Sequence, residues 1–167
     1  MSYSFEDCRE LIQEWLRLAQ RMLGDRLVSA CIYGSVARGE AKPNSDIDVL
    51  LVVRNLPEDI GSRIQLLSPI RRKLRRSKIY REYARRRLPR LISEVALTPE
   101  EVLKHPPILL DIAYDGIIIY DRDRFLKKVL ESLRRKLEAL GAKRIKTKKG
   151  WYWILKPDLK FGEELKI

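Results

Sequence analysis

The chain has 167 residues and a mass of 19.7 kDa, the size of one ordinary domain, which excludes two large ones. With 45% hydrophobic residues it can bury a core, and no stretch reaches the roughly 18 uncharged apolar residues that a membrane helix needs. The formal net charge of +12 is local: residues 54–90 carry 13 basic against 3 acidic side chains, which suggests a polyanionic partner or a solvated helix face.

Acidic residues stand at the start where a signal peptide would be basic, and Cys8 and Cys31 have no metal-ligand spacing, so a cytoplasmic chain with reduced thiols is expected. Phe5, Leu11, Trp15, Leu18 and Met22 recur at helical spacing, predicting a helix over 5–23 that closes at Gly24. Leu27 to Tyr33 and Ile47 to Val53 read as buried strands. Residues 58–87 keep Ile64, Leu67, Ile70 and Leu74 in helical register, with Pro69 expected to kink or divide them. A third strand runs over 90–97, with Ser93 and Val95 on one face and Ile92, Glu94 and Ala96 on the other. Thr98-Pro99-Glu100-Glu101 starts a short helix, and a second short helix follows Pro106-Pro107. His105 between them reads as a loop residue. A fourth strand over 116–120 and an amphipathic helix over 123–140 come next. Arg144 to Lys146 and Trp151 to Leu155 flank Lys148-Lys149-Gly150 as a basic hairpin whose aromatic residues either pack on the domain or stack on bases.

The chemistry concentrates in Tyr33 to Val53. A strand feeds Gly34-Ser35, and after a polar stretch a second strand carries Asp46 and Asp48 two residues apart, on one face, while Ile47, Val49 and Leu51 point the other way. Two adjacent carboxylates repel, and a bound divalent metal resolves that repulsion. Hard oxygen ligands with phosphate completing the set suit Mg2+. Gly34 allows close backbone approach to a ligand, the amides of Ser35 and Val36 can receive a phosphate oxygen, and Arg38 adds fixed charge. A P-loop is disfavoured, because Glu40 and Ala41 stand where Lys and Ser/Thr are needed, and no Gly-x-Gly-x-x-Gly occurs.

Gly34-Ser35, ten intervening residues and Asp46-x-Asp48, with Arg38-Gly39 between them and Ser45 before the first aspartate, resemble the signature of polymerase-β-like nucleotidyltransferases. The compact form is similar to the minimal nucleotidyltransferases of archaea and bacteria, which include antitoxins paired with HEPN partners. The likeness lies mainly in residues 27–97. It implies an α+β fold in which a mixed sheet is flanked by helices, as one domain with a catalytic core over about 24–105 and a C-terminal helix and hairpin extension over about 106–167. It also implies that Gly34 and Ser35, with Arg38 and Ser45, bind the nucleotide, that Asp46 and Asp48 hold Mg2+, and that Glu94 is the third carboxylate, ligating metal and serving catalysis with them. The family often has Asp at that third place, so Asp111 is held in reserve. The implied reaction moves a nucleoside monophosphate from an NTP, ATP favoured, to a hydroxyl of a protein or RNA, and releases pyrophosphate. A HEPN-type protein or RNA is the implied partner, oligomers are allowed, and no membrane is involved. A catalytically idle module that binds nucleic acid or a partner on the same fold is the alternative.

Overall fold

The computed structural model of the chain describes residues 2–147, 150–160, 163–165 and 167. Four strands, β1 (Leu27–Tyr33), β2 (Ile47–Val53), β3 (Ile92–Leu97) and β4 (Ile117–Asp121), form one sheet in the order β3-β2-β1-β4. β2 and β3 run parallel and the other pairs antiparallel, so the sheet is mixed. β4, from beyond residue 105, thus belongs to the same sheet as the strands before it.

Helices cover both faces. α1 (Phe5–Leu23), α3 (Ile60–Arg75) and α4 (Lys78–Arg85) lie on one side, where Leu11, Trp15, Ile70 and Leu74 meet Ile47, Val49 and Leu51. α5 (Pro99–Leu103), α6 (Ile108–Asp115) and α7 (Phe125–Ala139) lie on the other, where Leu109, Ile112 and Leu130 meet Cys31, Leu50 and Val52. The central strand β2 is therefore apolar on both faces after Asp48, as a strand covered on both sides must be. β1 switches phase at a register shift between Leu27 and Ser29, so Leu27 and Ala30 face the same cluster although three residues apart. Buried Ser29 donates its hydroxyl to Asp121 Oδ1 over 2.6 Å, and the Asp121 carboxylate also accepts from Leu126 N–H and Lys127 N–H, both 2.9 Å, at the start of α7.

Pro69 does not divide the helix in which it sits. α3 continues through it, and the break comes where the Ser77 side chain accepts from Tyr80 N–H and caps α4. β5 (Lys143–Thr147) and β6 (Gly150–Ile154) form the expected hairpin as a separate two-stranded sheet, while its Lys148-Lys149 tip lies outside the described residues. Among the described residues, no helix is long and apolar enough to cross a membrane.

Candidate active site

β1 ends at Tyr33, and Gly34 turns the chain into a four-residue helix, α2 (Gly34–Ala37). Gly34 has φ +73°, in the left-handed region that favours glycine, and a Cβ there would collide with the Asp48 carboxylate. The missing side chain is what allows the turn and the acidic strand to meet. Ser35 accepts Glu40 N–H at its carbonyl over 2.8 Å, closing the turn.

Asp46 is exposed just ahead of β2, and Asp48, half-buried inside the strand, sits between Tyr33 of β1 and Ser93 of β3 in register. Burial, and then the charge of Asp46, push the Asp48 carboxyl above its ordinary range against the opposing pull of Arg38. Burial and the neighbouring Asp48 push the Tyr33 phenol up to about 12. Among the described residues, Asp48 has neither a hydrogen bond nor an ion pair. A carboxylate desolvated, crowded by a second one and without a bound donor has the electrostatics of a cation ligand, and the donor set fits a hard divalent ion that takes one or two carboxylates.

Arg38 follows α2 and pairs with Glu40 at 2.9 Å and Asp115 of α6 at 3.3 Å. Asp115 also holds Arg144 of β5 at 2.7 Å, and Arg144 reaches Asp111 at 3.3 Å. Only 4% of the Arg144 side chain is exposed; its guanidinium carbon lies 4.4 Å from the Trp151 ring centre and 5.4 Å from that of Tyr114. Lys146 joins Glu40 at 2.8 Å, and the Glu40 carboxyl, bonded by Lys146 and Arg38, falls below the usual glutamate range. The C-terminal hairpin thus braces the Gly34 turn through two acidic bridges.

The structure brings Gly34, Ser35, Arg38, Asp46 and Asp48 together but places Glu94 on the other face of the sheet from Asp48. Glu94 pairs in register with Val49, not Asp48, and so lies on the α1–α3 face of the sheet. Its side chain is 3% exposed, accepts from Trp15 Nε1–H over 3.3 Å and sits 3.4 Å from Arg71 Nε. Burial raises its carboxyl pKa, with Arg71 and the Trp15 hydrogen bond pulling the other way. The expected third carboxylate therefore lies on the face opposite Asp48, where it lines a trough that Asp46 also lines, and Ser93 stands beside Asp48 instead. Asp111 does not join the pair either, since Trp153 Nε1–H donates to it over 3.2 Å and Arg144 engages the same oxygen. Among the described residues no group of three metal-ligating side chains forms. Ser45 shapes the approach to β2: its hydroxyl oxygen accepts from Lys42 N–H over 2.8 Å. His105 lies in a loop, with φ 50°.

The family model for the nucleotidyltransferase domain matches residues 8–162. The chain belongs to the nucleotidyltransferase family. This nucleotidyltransferase is 30% identical over 146 residues, 84% of its length and 90% of the relative's, to the Methanocaldococcus jannaschii protein named "Putative protein adenylyltransferase MJ1305". A second protein of that organism, named in the same way as MJ0141, is 38% identical over 48 residues, 29% of this chain and 48% of the other. Among solved structures, a toxin–antitoxin complex with AMP-PNP aligns at a TM-score of 0.48 and 15% identity, covering 77% of this chain and 91% of that one. A complex of Shewanella oneidensis HEPN toxin with MNT antitoxin aligns at 0.45 and 11%, covering 80% and 92%. The nucleotidyltransferase family and the mixed sheet flanked by helices agree, and the chain is an enzyme of nucleotidyl transfer.

Sequence reasoning did not single out Ser93, Asp115 or Arg144 as parts of this site. The two faces of β3 are legible from its alternation, but only the register against β2 decides which face meets Asp48. Asp115 and Arg144 carry no local signal, because they meet across 29 positions through the docking of a hairpin.

Proposed function

We propose that the nucleotidyltransferase moves the adenylyl group of ATP to a hydroxyl on a protein, with Asp46 and Asp48 holding Mg2+. The observation that carries this reading is Asp48, a half-buried carboxylate without a bound donor among the described residues, at the point where Gly34 has no side chain. The M. jannaschii relative's name, which gives protein adenylyl transfer, supports both the group and the acceptor. A divalent ion on this pair would polarise the α-phosphoryl group and lower the pKa of the attacking hydroxyl. The acceptor oxygen bonds to the α-phosphorus, the bond to the bridging oxygen of the β-phosphate breaks, and pyrophosphate leaves while the hydroxyl proton passes to solvent. Gly34 and Ser35 admit the triphosphate to the turn, and Arg38, fixed by Asp115 and Glu40, lends positive charge where negative charge accumulates. With Glu94 on the face opposite Asp48 and Ser93 beside Asp48, Asp46 and Asp48 are the two carboxylates that would hold the metal, leaving its other ligands to phosphate and water. A HEPN-type protein would be a suitable carrier of the hydroxyl.

The test is calorimetric titration with ATP, with and without MgCl2, alongside transfer of label from α-labelled ATP to protein. Asp46→Asn and Asp48→Asn should each lower transfer by at least about a hundredfold. Wild-type ATP binding that is indifferent to Mg2+, without transfer, would leave the idle binding module as the reading.

A further inference from the structure

β3 is an edge strand, paired with β2 on one side only. Leu91 carbonyl accepts from Ile47 N–H over 2.7 Å, so the alternation of a parallel ladder turns the peptide groups of Ile92, Glu94 and Ala96 outward. Arg63 of α3 takes the Ala96 carbonyl at 3.1 Å, while those of Ile92 and Glu94 meet no neighbouring strand. Between this edge and α3 lies a trough of about 740 Å³ that Asp46 helps to line. Ile60, Ile64 and Leu91 line it while 74%, 52% and 44% exposed, an apolar wall that the fold itself does not cover. Its charges are polarised. Arg63 is paired with Glu101 and Arg71 with Glu94, whereas Arg75 and Arg90, and the acids Asp46 and Glu58, line the trough with no ion pair among the described residues, Glu58 standing two residues before Ile60. Arg90 directly precedes Leu91, the residue bonded to Ile47, so this free positive charge lies at the Asp46 end of β3.

We infer that this trough seats the acceptor polypeptide as an added strand on the β3 edge, with acidic residues flanking its reactive hydroxyl near Asp46 and apolar residues farther along over Ile60 and Ile64. The inference rests on the protein-acceptor reading above. Strand addition takes affinity from main-chain hydrogen bonds and specificity from alternate side chains. From Leu91 to Leu97 the edge spans about 20 Å, room for roughly six extended residues. The basic end accounts for the preference for acidic neighbours, and the two isoleucines, one helical turn apart on α3, supply the apolar contact.

The experiment pans a displayed library of random twelve-residue peptides against the full chain without ATP, then measures a selected synthetic peptide by fluorescence anisotropy. Enriched sequences should carry acids beside a hydroxyl and alternating apolar residues beyond it. Ile60→Asp with Ile64→Asp, both at exposed positions, should weaken the peptide at least about tenfold, and N-methylation of alternate amides should do the same by removing main-chain donors. Arg75→Glu with Arg90→Glu should turn the selected flank from acidic to basic. The inference is overturned by absence of enrichment, by an unchanged acidic flank in the charge-reversed variant, or by displacement of the peptide by poly(U) RNA. It is equally overturned if the wild type is a dimer that the isoleucine variants split. Asp48→Asn separates the two readings: it should keep peptide binding and lose AMP transfer. Binding without transfer of AMP to a hydroxyl-bearing selected peptide by the wild type would remove the catalytic reading and leave the docking surface standing.

Discussion

At Gly34 a single absent methyl group lets the turn after β1 meet the acidic strand. Gly34→Ala asks a side chain to adopt a left-handed backbone, which costs about 1–3 kcal/mol, and pushes the new methyl into Asp48. A lowered melting temperature together with weakened ATP binding is the expected result, read by thermal denaturation and titration. Glu94 gives the opposite expectation for catalysis. Because it lies across the sheet, Glu94→Gln should leave AMP transfer within a factor of about three, or ~0.6 kcal/mol in the barrier. Its effect belongs to stability. Burial raises the folded-state pKa, so the native protein holds the proton more tightly than the unfolded chain, and wild-type stability falls as pH rises from about 4.3 through the folded value. Glu94→Gln removes that slope, and the stability of the variant relative to wild type should grow with pH across this window in denaturant titrations. The meeting of Gly34 with the Asp46–Asp48 strand was legible because their spacing is local, whereas the side of the sheet on which Glu94 lies depends on a register that alternation leaves free by one residue.

Among the elements, α3 shows how a local rule is satisfied by an unexpected partner. Pro69 has no N–H for the carbonyl of Gln65, and the hydroxyl of Ser68 donates to that carbonyl instead, over 3.0 Å. The helix therefore runs on to Arg75, and the break that the proline suggested arises at Ser77, where a side-chain cap starts α4. Pro69→Ala should stabilise the protein by about 1–3 kcal/mol, since it restores a helical donor. Ser68→Ala should cost about 1 kcal/mol in the wild type and close to nothing in the Pro69→Ala background, a coupling that a double-mutant cycle in denaturant measures directly. Strands and amphipathic helices were legible in the sequence because their periodicity is strong, and α1, β1 and β2 match residue for residue. What periodicity does not carry is which helix covers which face: the far side of β2 needs α6 and α7, from roughly sixty or more residues away, before Leu50 and Val52 have a reason to be apolar.

Across the whole molecule, the chain of charges Arg38–Asp115–Arg144–Asp111 ties the Gly34 turn, α6 and the hairpin into one unit. Asp115→Asn takes the shared carboxylate from two arginines, one of them buried, and breaking a buried pair of this kind costs about 3 kcal/mol or more. The expected outcome is a lower denaturation midpoint, faster hydrogen exchange in residues 143–154, and weaker ATP binding as Arg38 loses one of its two anchors.

The same bracing gives this enzyme a timetable. Glu40 and the lysine that holds it are 106 positions apart. At a synthesis rate of about 5–20 residues per second, about 5–20 s separate the birth of the turn from the birth of its support. A ribosome-bound chain stopped ahead of Arg144 would hold Arg38 only through Glu40 and Asp115, two carboxylates still without Lys146 and Arg144. AMP transfer by such a stalled chain should be weak and should rise once residues 143–154 have cleared the exit tunnel, so that competence for nucleotidyl transfer is granted late in the enzyme's own manufacture.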